Sequence, residues 1–146
     1  MGARALILGL LVLLAGMPGI ASTSRANDGA FKVIVHPDNT SDVVGREFLR
    51  AAYLKKATEW HGHTIRPIDL SPKFKARELF TQQVIRKSPA QLRTYWNQQV
   101  FSGKGVPPPE AGSAQDVVNY VLANPGAVGY VPANTDPGRA KVIRIE

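Results

Sequence analysis

Short β-branched runs stand at both ends of this chain, and helix-forming segments announced by serine and proline fill the middle. That interleaving argues against an all-α or all-β domain. Phe31-Lys-Val-Ile-Val35 is closed by His36-Pro37-Asp38-Asn39 and reads as a strand followed by a turn. Arg46 to Lys56 carries Phe48, Leu49, Ala52 and Tyr53 at helical spacing. Trp60 to Thr64 is a turn-rich connection. Ile65 to Leu70 is extended, because Pro67 removes an amide donor and biases Arg66 toward β geometry.

Three further helices declare themselves by their starts. Ser71-Pro72 and Ser88-Pro89 each place a capping hydroxyl before a proline at the first helical position. Phe74, Leu79, Phe80, Val84 and Ile85 fall on one broad apolar face, as do Leu92, Trp96 and Val100. Ser113-Ala-Gln-Asp116 resembles a capping box and opens a helix with Val117, Val118, Val121 and Leu122 inward. Asn124-Pro125-Gly126 stops it. Val128 to Val131 and Val142 to Ile145 are closing strands. The order β-α-β-α-α-α-β-β predicts an α/β domain with a small mixed sheet covered by helices.

The first residues predict export. Arg4 precedes an apolar run, Ala5 to Ala15, and small residues follow, with Gly19-Ile20-Ala21 and Ser24-Arg25-Ala26 both acceptable for cleavage. This is the pattern of a secretory signal peptide, 1–21, and the run falls short of the roughly 20 residues a spanning helix needs. Residues 22–30 are small and polar, the kind of mature N-terminus that stays loose. About 125 residues remain for one domain, 31–146, with no later segment apolar enough to cross a membrane. The expected address is the periplasm or the outside of the cell.

The chain has no cysteine, which excludes a disulfide framework and cysteine-ligated metal or redox centres. Its formal net charge is +7, which favours anionic partners such as phosphate-like ligands or lipid headgroups. The cations are scattered and no nucleic-acid motif interleaves them, so nucleic acid is not an expected partner. His61 and His63 flank Gly62 without the further ligands a zinc site requires. No serine lies in an activating motif, and no cofactor is implied.

Two stretches could hold an anion. At Ser71 to Arg77, a helix start would offer partial positive charge, Ser71 a donor, and Lys73 and Arg77 two cations four residues apart. Otherwise Ser71 is simply a cap and the cations are solvated. Ser102-Gly103-Lys104 combines exposed glycine amides with a cation, and it equally suits a helix C-cap.

Four fragments in order carry a family resemblance. They are Trp60-His-Gly-His-Thr-Ile65 running on to Pro67-Ile68-Asp69, Ser88-Pro-Ala-Gln-Leu-Arg-Thr-Tyr-Trp96, Phe101-Ser-Gly-Lys-Gly105 and Asn124-Pro-Gly-Ala-Val-Gly-Tyr-Val131, with Tyr53-Leu54-Lys55-Lys56 standing at the family's first turn. Together they resemble one lobe of a type II periplasmic substrate-binding protein of the phosphate-binding kind. The resemblance implies a non-enzymatic lobe that binds a small oxyanion for an ABC-type transport or envelope system, with Asp69 at the family's acidic position. Departures are local. The family's glycine is missing at Lys55, and its serine-glycine-threonine element is reduced to Ser71, with Pro72 removing an amide from the cradle. The family's first lobe has no counterpart. A ligand-free lobe kept as a docking surface is therefore the alternative. Either way, a residual anion site should sit at the carboxyl edge of the sheet.

Overall fold

The computed structural model describes residues 30–146; the expected signal peptide and nearly all of the loose segment after it lie outside them. Strand β1 (Phe31–Val35) runs through the centre of a five-stranded mixed sheet. It pairs antiparallel with β8 (Ala127–Pro132), placing Val33 opposite Tyr130, and with β9 (Lys141–Ile145), placing Ile34 opposite Val142. Short parallel strands complete both margins, β2 (Val43–Val44) on β9 and β5 (Arg66–Pro67) on β8. The sheet order is β2-β9-β1-β8-β5. The first and last strands of the described residues thus lie side by side inside the sheet.

Two small ladders stand beside it. Strands β3 (Glu59–Trp60) and β4 (His63–Thr64) form a hairpin whose two-residue turn, His61-Gly62, has φ of 51° and 78°. Positive φ at both positions matches the right-handed twist of the flanking strands, and glycine makes it cheap at the second. Strands β6 (Asp69–Leu70) and β7 (Glu110–Ala111) pair in parallel.

Helix α1 (Arg46–Tyr53) buries Leu49, Ala52 and Tyr53, as its spacing predicts. It ends at Lys55, whose φ is +57°, with the Lys56 amide donating to the Ala51 carbonyl. Lysine here takes the left-handed role that glycine fills at lower cost. Helix α4 (Ala114–Ala123) is capped by Ser113, whose hydroxyl accepts from the Asp116 amide, and buries Val117, Val118 and Val121.

Close packing around β8, of α4 on one side and of the Thr64 backbone at its start, explains the glycines of the Asn124–Val131 fragment. A Cβ at Gly129 would come within 2.6 Å of Val117 Cγ1 and 3.0 Å of Ile68 Cγ2. A Cβ at Gly126 would sit 1.9 Å from the Thr64 carbonyl oxygen, on the path by which the Arg66 amide reaches the Gly126 carbonyl. Ala127 to Val131 are all buried. The core continues through Val33, Ile34, Val35, Leu49, Phe80 and Val84.

The helix expected from Ser71 begins later. The Ser71 amide is still engaged with the Ala111 carbonyl, extending the β6–β7 ladder, and the Ser71 carbonyl accepts from the Phe74 amide. A turn therefore separates strand from helix. Helix α2 (Lys75–Phe80) starts with Phe74 at its cap, so neither Ser71 nor Pro72 holds the position expected of it. Residues Thr81–Ile85 continue as one wider π-type turn, closed by an Arg86 amide bond to the Thr81 carbonyl. That turn keeps Val84 and Ile85 inward beside Phe80.

Helix α3 (Pro89–Phe101) has the expected start. Ser88 and Gln91 cap it reciprocally, with Pro89 at the first turn. None of its residues is fully buried, so its apolar face is only partly covered. Leu92 and Tyr95 pack partly against the core, while Val100 is half-exposed and Phe101 projects into solvent. One side-chain tie to the body runs from the Tyr95 hydroxyl to the Leu54 carbonyl, 2.7 Å.

Candidate functional site

Asp69 is a carboxylate in the core. It ends up there because β6 lies against β8, with Leu70 fully buried and Asp69 only 9% exposed. A buried carboxylate must find donors. The Leu70 amide donates to Oδ1 at 3.1 Å, and the Tyr130 hydroxyl donates to the same oxygen. Arg77 Nη2 lies 3.1 Å from Oδ2. Tyr130 comes from β8 and Arg77 from α2, so strand, sheet and helix converge on this one side chain.

Arg77 does more than neutralise Asp69. Its Nη1 donates to the Leu70 carbonyl at 2.6 Å and reaches Glu110 Oε2 on β7 at 2.8 Å. The guanidinium thus bridges an inner carboxylate to an outer one. Asp69 has a side-chain exposure of 13%, whereas Glu110 stands 51% exposed. The outer member of the triad is in contact with water.

Aromatic packing fixes the inner half. Phe80 stacks on Tyr130 at 3.9 Å between centroids, and Tyr53 packs on Phe80 at 4.7 Å. The Tyr53 hydroxyl donates to the Ile68 carbonyl, 2.9 Å, tying α1 to the strand entering the site. Burial pushes the Asp69 carboxyl above its ordinary range, opposed by Arg77, the Tyr130 hydrogen bond and the Leu70 amide. Burial and the Asp69 charge push the Tyr130 phenol far upward, so it serves as a neutral donor. Burial likewise lifts Tyr53. For Arg77, burial works against the charged form, but Asp69, Tyr130 and Glu110 outweigh it and raise the value.

The expected site residues divide into two sets. Asp69, Ser71, Lys73 and Arg77 lie around one corner, where the Ser71–Phe74 turn joins β6 to α2. Lys73 and Arg77 do not share a helical face, because Lys73 precedes the helix. Lys73 is exposed, with its amine 5.4 Å from the Phe74 ring centroid, and among the described residues it forms no ion pair. Ser71 is half-buried. The hexapeptide helix that follows is too short to provide an anion-binding N-terminus of its own.

Ser102, Gly103 and Lys104 form the C-terminal cap of α3. The Ser102 hydroxyl donates to the Gln98 carbonyl, the Gly103 amide to Val100, and the Lys104 amide to Gln99, with Gly103 at φ +69°. Those amides are spent closing the helix. Among the described residues, no hydrogen bond or ion pair joins this loop to the Asp69–Arg77 corner. Tyr130, Tyr53 and Glu110 were not among the expected site residues. Tyr130 carried a signal: a phenol inside a wholly apolar strand needs a buried partner.

Two cavities lie elsewhere. One of about 290 Å³ is lined by Lys55, Ile65, Arg66, Pro67, Pro109 and Tyr120. A wider groove of about 470 Å³ runs along α3 beside Arg86 and Lys87. His61 Nε2 lies 2.6 Å from the half-buried Ser41 hydroxyl, and among the described residues no third side chain bonds to this pair. Among the described residues, no three His, Cys, Asp or Glu side chains gather as a metal site.

Sheet order and covering helices match one lobe of the substrate-binding-protein fold. Solved structures that superpose on it include an ABC-type phosphate transport receptor from Vibrio cholerae, with a TM-score of 0.64 at 16% identity. PstS from Borrelia burgdorferi aligns with a TM-score of 0.61 at 12% identity. A protein assigned as a phosphate ABC transporter substrate-binding protein from Clostridium perfringens, solved with bound phosphate, aligns at 0.62 and 16%. Each alignment covers 80% of this chain but only 46%, 47% and 44% of the respective neighbour, so the chain spans under half of their length. At these identities the likeness is one of fold. No family model matches the sequence, and no curated protein matches it significantly.

Proposed function

We propose that the protein is an exported, non-enzymatic binding module whose substrate-binding-protein lobe takes phosphate or a similar small oxyanion at the Ser71–Arg77 corner for an ABC-type transport or envelope system. The observation that carries this reading is the Arg77 bridge. Asp69 holds one edge of the guanidinium in the core, and the other edge meets a partly solvated carboxylate, Glu110, 2.8 Å away. Glu110 stands where an oxyanion would stand. A phosphate oxygen that displaces it would find the guanidinium already oriented, with Ser71 as a neighbouring donor and Lys73 as counter-charge. The fold neighbours, which their descriptions tie to phosphate transport, support the same ligand class. Taken by itself, this lobe gives few hydrogen bonds and no enclosure from water, so phosphate should bind it weakly.

Phosphate titration of the wild type and Glu110→Gln, followed by NMR shifts and thermal stabilisation, tests this. Shifts should map to Ser71–Arg77, and the variant should bind at least as tightly, since its internal competitor is gone. If neither protein responds at millimolar phosphate, the oxyanion reading fails. The lobe is then better read as a docking module for an envelope partner, a role favoured by the complete internal pairing of Asp69 and Arg77.

A further inference from the structure

Helix α3 and the loop after it form the least buried part of the domain, and their surface has a single sign of charge. Between Glu78 and Glu110 the sequence contains no acidic residue but holds Arg86, Lys87, Arg93 and Lys104. Phe101 is 95% exposed, flanked by Val100 at 51% and Val106 at 58%. Arg93, Asn97 and Phe101 follow at successive intervals of four, so they share one outward face, and Lys104 lies just past its end. On the same helix, Thr94 and Gln98 line the groove beside Arg86 and Lys87, and Phe101 continues that row. Lys87 and Lys56 both stand over the Tyr95 ring, at 5.6 and 5.9 Å, adding positive charge to this end.

We propose that this face of α3 seats the protein on an anionic phospholipid surface, with the cations against lipid phosphates and Phe101 in the headgroup–acyl boundary. The exposure of Phe101 favours a bilayer. Its ring is almost wholly in solvent, and a protein partner would have to supply a fitted pocket, whereas a fluid interface accommodates a protruding aromatic ring flanked by basic side chains. The charge disfavours a second copy of the chain. With a net charge of +7 and no acid in this segment, two such faces repel. Arg86 contributes least, since it also approaches Glu47 at 3.4 Å. This surface is separate from the Arg77 corner, and binding there needs no oxyanion in that corner.

The test is flotation of the full chain with vesicles of phosphatidylcholine alone and of phosphatidylcholine mixed with phosphatidylglycerol. The quantity read is the gain due to the anionic lipid, because residues 1–29 contribute equally to every variant. Wild type should show a gain that vanishes in high salt. Lys104→Glu should reduce it about tenfold or more, as expected for reversing one cation at a charged interface. Phe101→Ser should reduce it clearly while leaving the fold intact, since that ring touches solvent on nearly all sides. Arg139→Glu, the same charge change on the β8–β9 connection, should reduce it much less. The proposal is overturned if wild type shows no gain, if Phe101→Ser keeps it, or if Arg139→Glu loses as much as Lys104→Glu. It is equally overturned if sedimentation finds a dimer that Phe101→Ser dissolves while lipid binding is absent.

Discussion

Tyr130 donates its hydroxyl hydrogen to the carboxylate of Asp69, a residue 61 positions earlier in the chain. Asp69 on β6 and Tyr130 on β8 belong to two different ladders that pack together, and the bond is buried. It joins the closing strand of the domain to the strand that delivers the site corner, so the same contact serves folding and site geometry. The Leu70 amide also lies 3.3 Å from the Tyr130 oxygen, which makes the hydroxyl both donor and acceptor.

Tyr130→Phe removes that hydroxyl and leaves the ring stacked on Phe80. Asp69 loses a donor it cannot replace with water, and the variant should be destabilised by about 1–3 kcal/mol. Urea denaturation monitored by tryptophan fluorescence measures it. A loss under about 0.5 kcal/mol would mean the hydroxyl is not paired as described.

The pH dependence has a definite sign. Burial raises the folded-state pKa of Asp69 above 3.8. In the window above 3.8, the folded protein binds more protons at this group than the unfolded chain does. The contribution of Asp69 to stability is thus fully present below the unfolded value and is lost as pH rises through the folded one. Asp69→Asn abolishes this slope. Stability curves of both proteins, measured from pH 3 upward and subtracted, should fall with pH over that window. A rising difference would mean that Arg77 outweighs burial.

Much of this fold is legible in the residues. The Val33–Val35 and Ala127–Val131 runs, the Ser88 and Ser113 caps and the face of α1 follow from periodicity and capping chemistry alone. The start of α2 does not, because the engagement of the Ser71 amide with Ala111 is a contact 40 residues away that no local signal encodes. The outward placement of Val100 and Phe101 fails for a related reason. Spacing reports a face, but only packing decides whether anything covers it. At the site, Asp69, Ser71, Lys73 and Arg77 are close in sequence, and of the four only Asp69 and Arg77 pair through their side chains. Glu110 was missed because it arrives through the β6–β7 pairing, across the whole of α3.

Lys55 offers a stability test independent of the site. It holds φ +57° at the end of α1, a conformation that disfavours residues with a Cβ. Lys55 is exposed, so its side chain contributes little packing. Lys55→Gly should therefore stabilise the domain by about 1 kcal/mol. A measured loss in chemical denaturation would show that the lysine side chain matters more there than the backbone.

The double variant Ser71→Ala, Lys73→Ala separates the corner from the rest of the basic surface. Asp69, Arg77, Glu110 and Tyr130 keep their contacts in it, because none of their bonds involves either replaced side chain. Stability should change by less than about 0.5 kcal/mol, as for exposed or half-exposed positions with no buried partner. Phosphate binding should weaken instead, since one hydroxyl donor and one cation leave the site while the guanidinium stays. Chemical-shift titration reads both effects at once, through the unperturbed core signals and the diminished shifts at residues 70–77. Unchanged phosphate shifts in the variant would place the anion elsewhere on the lobe and leave Arg77 as a structural bridge alone.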